Sequence, residues 1–222
     1  YWYIYTAMVY NVSDMSDGLP LAYRTEAKML DLHDPTIGRQ EYAMWNFCNN
    51  HDQWRMQAMT TRSHFRMCLA IITFWPGVPL HYAGDEQDFL TPGMALDGWG
   101  REDMAVSLAW RALRTTPEGN PADGDSFDMT SPSYRYIRRL FLLRKAYFGD
   151  FGRDACDIVE TPAAPVDEVL VFTRGCAVEE RVTVIANFNT NSSRSFSVAV
   201  PWPEGTELSD ALADRDAVRF VV

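Results

Sequence analysis

The stretch WNFCNNHDQWR, residues 45–55, decides how this sequence folds and where its chemistry lies. Residues 42–48 form a short apolar run with the length of a buried strand. Asn50, His51 and Asp52 follow that run directly. In barrels of alternating strands and helices, active-site groups stand where the strands end, at the C-terminal face. The stretch therefore predicts a strand that delivers polar and acidic side chains to the rim of a cleft.

A second strand of the same kind follows after one helix. Residues 60–75 carry apolar side chains at helical spacing, with Phe65, Cys68, Leu69 and Ile72 on one face. Residues 78–83 then read as a second buried strand, and Asp85 and Glu86 come directly after it. Because one helix separates the two strands, we expect them to be neighbours that bring acidic groups to the same rim.

Acidic and aromatic side chains at one rim suit an uncharged, hydroxyl-rich substrate. Carboxylates supply the nucleophile and the proton donor of glycoside cleavage, and Trp54 offers a face on which a sugar ring can stack. Glu86, Arg55 and Trp54 are therefore predicted to bind substrate. The alternative for Asp85 and Glu86 is a salt bridge or cap at the strand end, and for Arg55 and Trp54 it is packing on the next helix.

Composition and charge exclude several classes of function. The 222 residues are 47% hydrophobic and 23% charged, which is a globular balance, and the formal net charge is −10. This acidity argues against a nucleic-acid partner and against an anionic membrane surface. No apolar stretch is long enough to span a bilayer, and residues 1–10 do not resemble a signal peptide. The basic residues of the last predicted helix are assigned to its solvated face: Arg135, Arg138, Arg139, Arg144 and Lys145.

The cysteines and histidines do not indicate a metal site. The four cysteines are scattered without a Cys-x-x-Cys pair, and no histidine has a partner at ligand spacing, so neither a metal nor a cofactor is predicted. Buried free thiols are the default interpretation, and a disulfide between Cys156 and Cys176 is the alternative. Asn11 and Asn191 lie in glycosylation triplets, which weakly indicate a secretory route.

The chain changes character near residue 153. A helix is predicted from Pro132, with an apolar stripe of Ile137, Leu140, Phe141 and Tyr147 or Phe148. The polar stretch of residues 84–128 before it is too long for a simple connection. After it, four alternating or β-branched segments predict an antiparallel sheet: residues 168–173, 181–187, 195–200 and 217–222. Residues 1–153 and 154–222 are therefore predicted to be two domains.

These residues carry a resemblance to the α-amylase family of glycoside hydrolases. Asn50-His51-Asp52 after an apolar strand resembles the fourth conserved region of the family. The segment PGVPLHYAGDEQ, residues 76–87, is similar to the segment on strand eight of the family's barrel, with a mild departure at Asp85. Residues 97–104 and 107–110 look most like the amylase-like domain of α-1,3-glucan synthases.

The resemblance implies a fold and a role for each matching residue. The fold would be α/β, the C-terminal part of a (β/α)8 TIM barrel followed by a small antiparallel β-sandwich. Asp52 would be the catalytic aspartate that stabilises the transition state, His51 would bind sugar hydroxyls, and Asn50 would support that turn. The nucleophilic Asp and acid/base Glu of the family lie on earlier strands, and no such strand precedes Asn50 here.

Three functional hypotheses follow. In the first, the chain is part of a retaining hydrolase or transglycosylase that acts on an α-glucan or malto-oligosaccharide, specifically in α-1,3-glucan synthesis. The missing N-terminal part of the same barrel would be its partner, and the 222-residue piece alone would be inactive. The second is a non-catalytic α-glucan-binding protein with a degenerate barrel, and the third is an interaction protein that works through its β region. If the resemblance to glucan synthases holds, the location is extracellular or at the cell wall or membrane.

Overall fold

The structure is a computed structural model that describes eight stretches of the chain. They are residues 45–50, 55–89, 128–148, 158–160, 169–175, 181–188, 195–212 and 219–221. His51, Asp52, Trp54 and the pair Cys156 and Cys176 lie outside the described residues, so the expectations for them stay predictions.

The first described part is a parallel strand–helix–strand unit. Its elements are β1 (Trp45–Phe47), a short helix α1 (Met56–Met59), the longer helix α2 (Arg62–Phe74) and β2 (Val78–Leu80). β1 and β2 pair in parallel, with Trp45 opposite Val78 and Phe47 opposite Leu80. Apart from α1, which was not predicted, this is the order of elements that the sequence predicts, whereas closure into a full barrel stays a prediction.

Helix α2 has clear local causes at both ends. The Thr61 hydroxyl accepts a hydrogen bond from the backbone N–H of His64 at 3.3 Å, which caps the first turn. The predicted apolar face is buried, as are most residues of the last three turns. The helix ends at Trp75, and Gly77, with φ of 117°, turns the chain into β2.

β2 is shorter than predicted, because the chain turns before residue 83. The backbone N–H of Asp85 donates to the Tyr82 carbonyl at 3.0 Å, and Gly84 has φ of 96°. A Cβ on Gly84 would overlap the ring of Phe89, so both backbone angle and space favour glycine here. A 3-10 turn, Asp85–Gln87, follows and is called the rim turn below.

Helix α3 (Pro132–Phe148) begins at the predicted proline and corrects two expectations about its faces. Ile137, Leu140 and Phe148 are buried as predicted, but Phe141 is 38% exposed. Arg144 is buried instead of solvated: its guanidinium donates to the carbonyls of Thr73 at 2.6 Å and Gly77 at 2.8 Å. The reason is the C-terminal end of α2, whose last carbonyls need donors from outside the helix.

The C-terminal region is antiparallel, as predicted, although its strands differ in part. A three-stranded sheet has the order β3 (Ile158–Glu160), β4 (Val169–Arg174), β5 (Val182–Asn187), and β6 (Glu207–Ser209) pairs with β7 (Arg219–Val221). The prediction of a strand at residues 195–200 was wrong, because that segment pairs with no strand in the described part of the chain. β3 and β6 were missed because three residues are too few for alternation to show. A sandwich of packed sheets stays a prediction.

One hydrophobic core joins the helical part to the antiparallel sheet. It contains side chains of α2, the inner face of α3 and residues of β4 and β5. The rings of Trp75 and Phe172 meet edge-on with centroids 4.8 Å apart. Arg174, fully buried on β4, donates to the carbonyl of Trp75 at 3.2 Å and lies over the ring of Phe148. The domain division at 153/154 stays a prediction, and residues from both predicted domains contribute to this core.

A disulfide between Cys48 and Cys68 corrects the expectation of free thiols. It joins the residue after β1 to the buried face of α2, with Cα atoms 6.4 Å apart. Sequence spacing did not indicate this pair, because the two residues approach only once β1 packs on α2. Among the described residues, no helix has the length and hydropathy needed to cross a membrane.

Candidate functional site

The ends of β1 and β2 form the candidate site. Asn49 and Asn50 follow β1, and the rim turn with Asp85 and Glu86 follows β2. Because the strands run in parallel, both ends lie at the same edge of the sheet. The structure therefore brings Asn50 to the same edge as Asp85 and Glu86, as the sequence predicted.

A buried carboxylate, Asp85, lies at the centre of this edge. Its Oδ1 accepts hydrogen bonds from Asn49 Nδ2 at 2.7 Å, Arg55 Nη1 at 2.9 Å and Gln57 Nε2 at 3.1 Å. Its Oδ2 accepts from the backbone N–H of Tyr82 at 3.2 Å. The side chains of Asp85 and Arg55 are each only 1% exposed. Asp85 thus forms the buried salt bridge that was weighed as its structural role.

Arg55 has further contacts that direct its guanidinium inward. Nη2 donates to the Ala83 carbonyl at 2.6 Å, and the guanidinium carbon lies 4.7 Å from the ring centroid of Tyr82. The same guanidinium carbon lies 5.3 Å from the ring centroid of Phe89. Arg55 was predicted to bind substrate, but these contacts indicate that it supports the rim from below.

These contacts join the residues on either side of residues 50–54. Asn49, just before it, and Arg55, just after it, donate to the same oxygen of Asp85. Asn49 Oδ1 also accepts from the backbone N–H of Met56 at 2.7 Å, which joins the two sides directly. The two residues that flank residues 50–54 in the sequence are therefore held on one buried carboxylate.

Burial is the main influence on the acidity of Asp85. Loss of solvent raises the pKa of the Asp85 carboxyl to about 6. The charge of Arg55 and the hydrogen bonds from Gln57 and Asn49 oppose that rise, whereas the neighbouring charge of Glu86 adds to it. The carboxylate is therefore ionised and paired at pH 7, and it takes up a proton in mildly acidic solution.

Glu86 occupies the outer side of the rim turn. It is half-buried, and its Oε2 accepts from the backbone N–H of Gly84 at 3.0 Å. Its own carbonyl accepts from the Ser131 hydroxyl at 2.9 Å, which ties the rim turn to the start of α3. Gln87 strengthens that tie, because its side-chain amide both donates to and accepts from the backbone of Asp128.

The roles of the predicted site residues stay predictions, and the structure describes the position of three of them. Asn50 and Glu86 stand at the rim, Arg55 lies beneath it, and the placement of His51, Asp52 and Trp54 falls outside the described residues. Asn49 and Gln57 were missed. Asn49 had a signal in its position directly after the strand, whereas nothing in the sequence marked Gln57. Within the described stretches, no group of three or more metal-ligating side chains is present.

Comparisons with known proteins give a fold for this arrangement. No known family profile and no curated protein matches the chain. An α-amylase from Anoxybacillus is similar in structure, with a TM-score of 0.55 and 19% identity over 82% of this chain and 34% of that one. A γ-CGTase from the alkalophilic Bacillus clarkii is similar with a TM-score of 0.51 and 21% identity, over 85% of this chain and 25% of that one.

These similarities cover only part of each enzyme. The chain spans 34% of the amylase and 25% of the CGTase. Both solved structures are α-amylase-type glycoside hydrolases, whereas the likeness to α-1,3-glucan synthases stays a prediction. The chain therefore has a fold similar to one part of an α-amylase-type glycoside hydrolase.

Proposed function

We propose that this chain is part of an α-amylase-type glycoside hydrolase or transglycosylase that acts on α-glucans with retention. The observation that carries the proposal is that Asp85, after the second of two parallel strands, binds both Asn49 and Arg55, the residues that flank residues 50–54. The fold similarity to an α-amylase and a CGTase supports the same assignment. Barrel enzymes place their catalytic residues at this edge of the strands.

In this proposal Asp52 acts on the reacting sugar through its charge. A retaining glycosidase passes through an oxocarbenium-like transition state, and a nearby carboxylate stabilises the positive charge that develops there. The buried pair of Arg55 and Asp85 has no net charge, so the cation of Arg55 does not oppose this effect. His51 would donate a hydrogen bond to a sugar hydroxyl. Asn50 would support the turn that carries His51 and Asp52.

Glu86 and Trp54 are proposed to hold further parts of the glucan. The partly buried carboxylate of Glu86 stands at the rim and suits a hydrogen bond from a sugar hydroxyl. Trp54 directly precedes Arg55 in the sequence, and its aromatic face would stack on a pyranose ring.

The nucleophile and the acid/base are proposed to come from an upstream part of the same barrel. Exposed apolar side chains on β1 and β2 support this, because Trp45 is 66% and Leu80 37% exposed. Strand pairing puts both on one face of the sheet, and parallel sheets are normally covered on both faces. The 222-residue chain alone is proposed to bind glucan without cleaving it. The disulfide between Cys48 and Cys68 favours folding in an oxidising compartment.

The test compares sugar binding with turnover. The 222-residue chain should bind maltoheptaose in calorimetry but release no reducing ends, and Asp52→Ala with His51→Ala should abolish binding. In a longer protein that supplies the upstream strands, Asp52→Asn should lower kcat by about 10²-fold or more while the fold survives. Near-normal turnover of Asp52→Asn would refute the role of Asp52. Glucan binding by a longer protein without turnover would favour the non-catalytic alternative.

A further inference from the structure

We propose that Asp85 is a positioning residue, which holds Asn49 and Arg55 and so fixes where the chain enters and leaves residues 50–54, the residues proposed to contact sugar. This inference rests on the proposed function, since it concerns the placement of the side chains that would touch the glucan. Asp85 itself is buried and is not proposed to contact sugar.

The hydrogen bonds to Asp85 come from both sides of residues 50–54. The Oδ1 atom of Asp85 accepts from Asn49 on one side and from Arg55 and Gln57 on the other. All three are side-chain donors that approach a single carboxylate oxygen, and charge-assisted bonds of this kind are the strong ones. Because Asp85 follows β2, the same atom also fixes Asn49 and Arg55 relative to the neighbouring strand.

A neutral side chain of the same shape does not satisfy this set of donors. An asparagine at position 85 has one carbonyl oxygen and one amide nitrogen where aspartate has two acceptors. If its oxygen faces the three side-chain donors, its amide N–H groups face another donor, the backbone N–H of Tyr82. In the reverse orientation, the amide faces all three side-chain donors, which is worse. Arg55 would also remain buried without its counter-charge.

A neighbouring aspartate provides a matched control. Asp88 follows the same rim turn and is also buried, but it accepts from Ser133 Oγ and from Arg62 Nη2, at the starts of α3 and α2. Asp88 has φ of 54°, a backbone angle that asparagine tolerates as well as aspartate does. Asp88→Asn therefore removes a buried charge from the same turn without touching Asn49 or Arg55.

The first experiment is hydrogen–deuterium exchange on the 222-residue chain, with reduction in the acid quench so that peptides containing Cys48 are released. Asp85→Asn should raise exchange in peptides that cover residues 49–56 and leave the peptides of α3 and β4 unchanged. Asp88→Asn should not raise exchange in residues 49–56. Unchanged exchange there in Asp85→Asn, or a uniform rise across the chain in both variants, would overturn the proposal.

The second experiment measures maltoheptaose affinity against pH. At pH 7 Asp85→Asn should weaken binding by about tenfold or more, because displacement of residues 50–54 misplaces their contacts. Burial raises the pKa of Asp85 to about 6, and Arg55 and Glu86 are the charged groups that act on it. Wild-type affinity should therefore fall more steeply between pH 7 and pH 5 than the affinity of Asp85→Asn, because any change that comes from His51 is common to both proteins.

The two proposals fail in different ways. If the wild type binds maltoheptaose and Asp85→Asn binds equally well, the positioning role is wrong and the proposed function stands. If the wild type does not bind maltoheptaose while Asp85→Asn still loosens residues 49–56, Asn49 and Arg55 are held as described but the glucan assignment is wrong.

Discussion

Removal of the disulfide between Cys48 and Cys68 should destabilise the chain by a predictable amount. Both residues are almost fully buried, at 1% and 0% exposure, so alanine is the suitable replacement at both positions. The bond closes a loop with a sequence separation of 20. A crosslink of this kind acts mainly on the unfolded chain, whose conformational freedom it restricts.

The magnitude follows from the length of the loop. For a separation of 20, the loop-closure entropy corresponds to about 3 kcal/mol at 25 °C. In a chain of this size a loss of about 3 kcal/mol lowers the melting temperature by roughly 6–12 °C. The Cys48→Ala/Cys68→Ala double variant should therefore melt that far below the wild type under non-reducing conditions.

The assay is thermal and urea unfolding with and without a reductant. The reductant should lower the stability of the wild type towards that of the double variant, and it should act much less on the variant. Cys156→Ala/Cys176→Ala is the control, because it leaves the described disulfide intact. A non-reducing peptide map should join Cys48 to Cys68. Stability of the double variant within about 1 kcal/mol of the wild type would refute the reasoning.

Two further predictions concern a glycine and a histidine near the rim. Gly84→Ala should lower the free energy of unfolding by more than Gly205→Ala does. Both glycines have positive φ, but of the two only Gly84 has a side chain, the ring of Phe89, in the space that a Cβ would take. Backbone strain alone costs about 1–2 kcal/mol, so urea titrations that give equal losses for the two variants would contradict the overlap. Burial lowers the pKa of His81 to about 4. Between pH 6.5 and pH 4 the unfolded chain therefore binds a proton at this histidine, whereas the folded chain does not. The free energy of unfolding falls over that range as a result. His81→Phe should remove up to about 3 kcal/mol of that loss. The raised pKa of Asp85 has the opposite effect, because it stabilises the folded state as pH falls from 6 to 4. This contribution is the same in both proteins and cancels when they are compared.

Periodicity predicted the elements that pack on one clear face. α2 was predicted within two residues at its start and one at its end, because its apolar residues recur at helical spacing and Thr61 caps it. β4 and β5 were predicted for the same kind of reason, since six residues each suffice to show a strand pattern. Three-residue strands such as β3 carry no such signal.

What the sequence could not predict are interactions between segments far apart in the chain. The burial of Arg144 depends on the carbonyls at the end of α2, which helix periodicity within α3 cannot show. The pairing of Cys48 with Cys68 depends on how β1 lies against α2. For the site, the sequence predicted that residues 50–52 and 85–86 share a rim, but the link through Asn49 and Gln57 required the fold.

The disulfide and the Asp85 contacts hold consecutive residues of one strand end. Cys48 is bonded to α2, and the next residue, Asn49, is bonded to Asp85 after β2. The path of the chain into residues 50–54 is therefore fixed from the helix layer and from the neighbouring strand at once. In the proposed function this fixation helps Asp52, because a carboxylate stabilises a developing charge best when it does not have to move. The same logic explains why a buried charge pair is tolerated at this point: it contributes placement, although it need not contribute net stability.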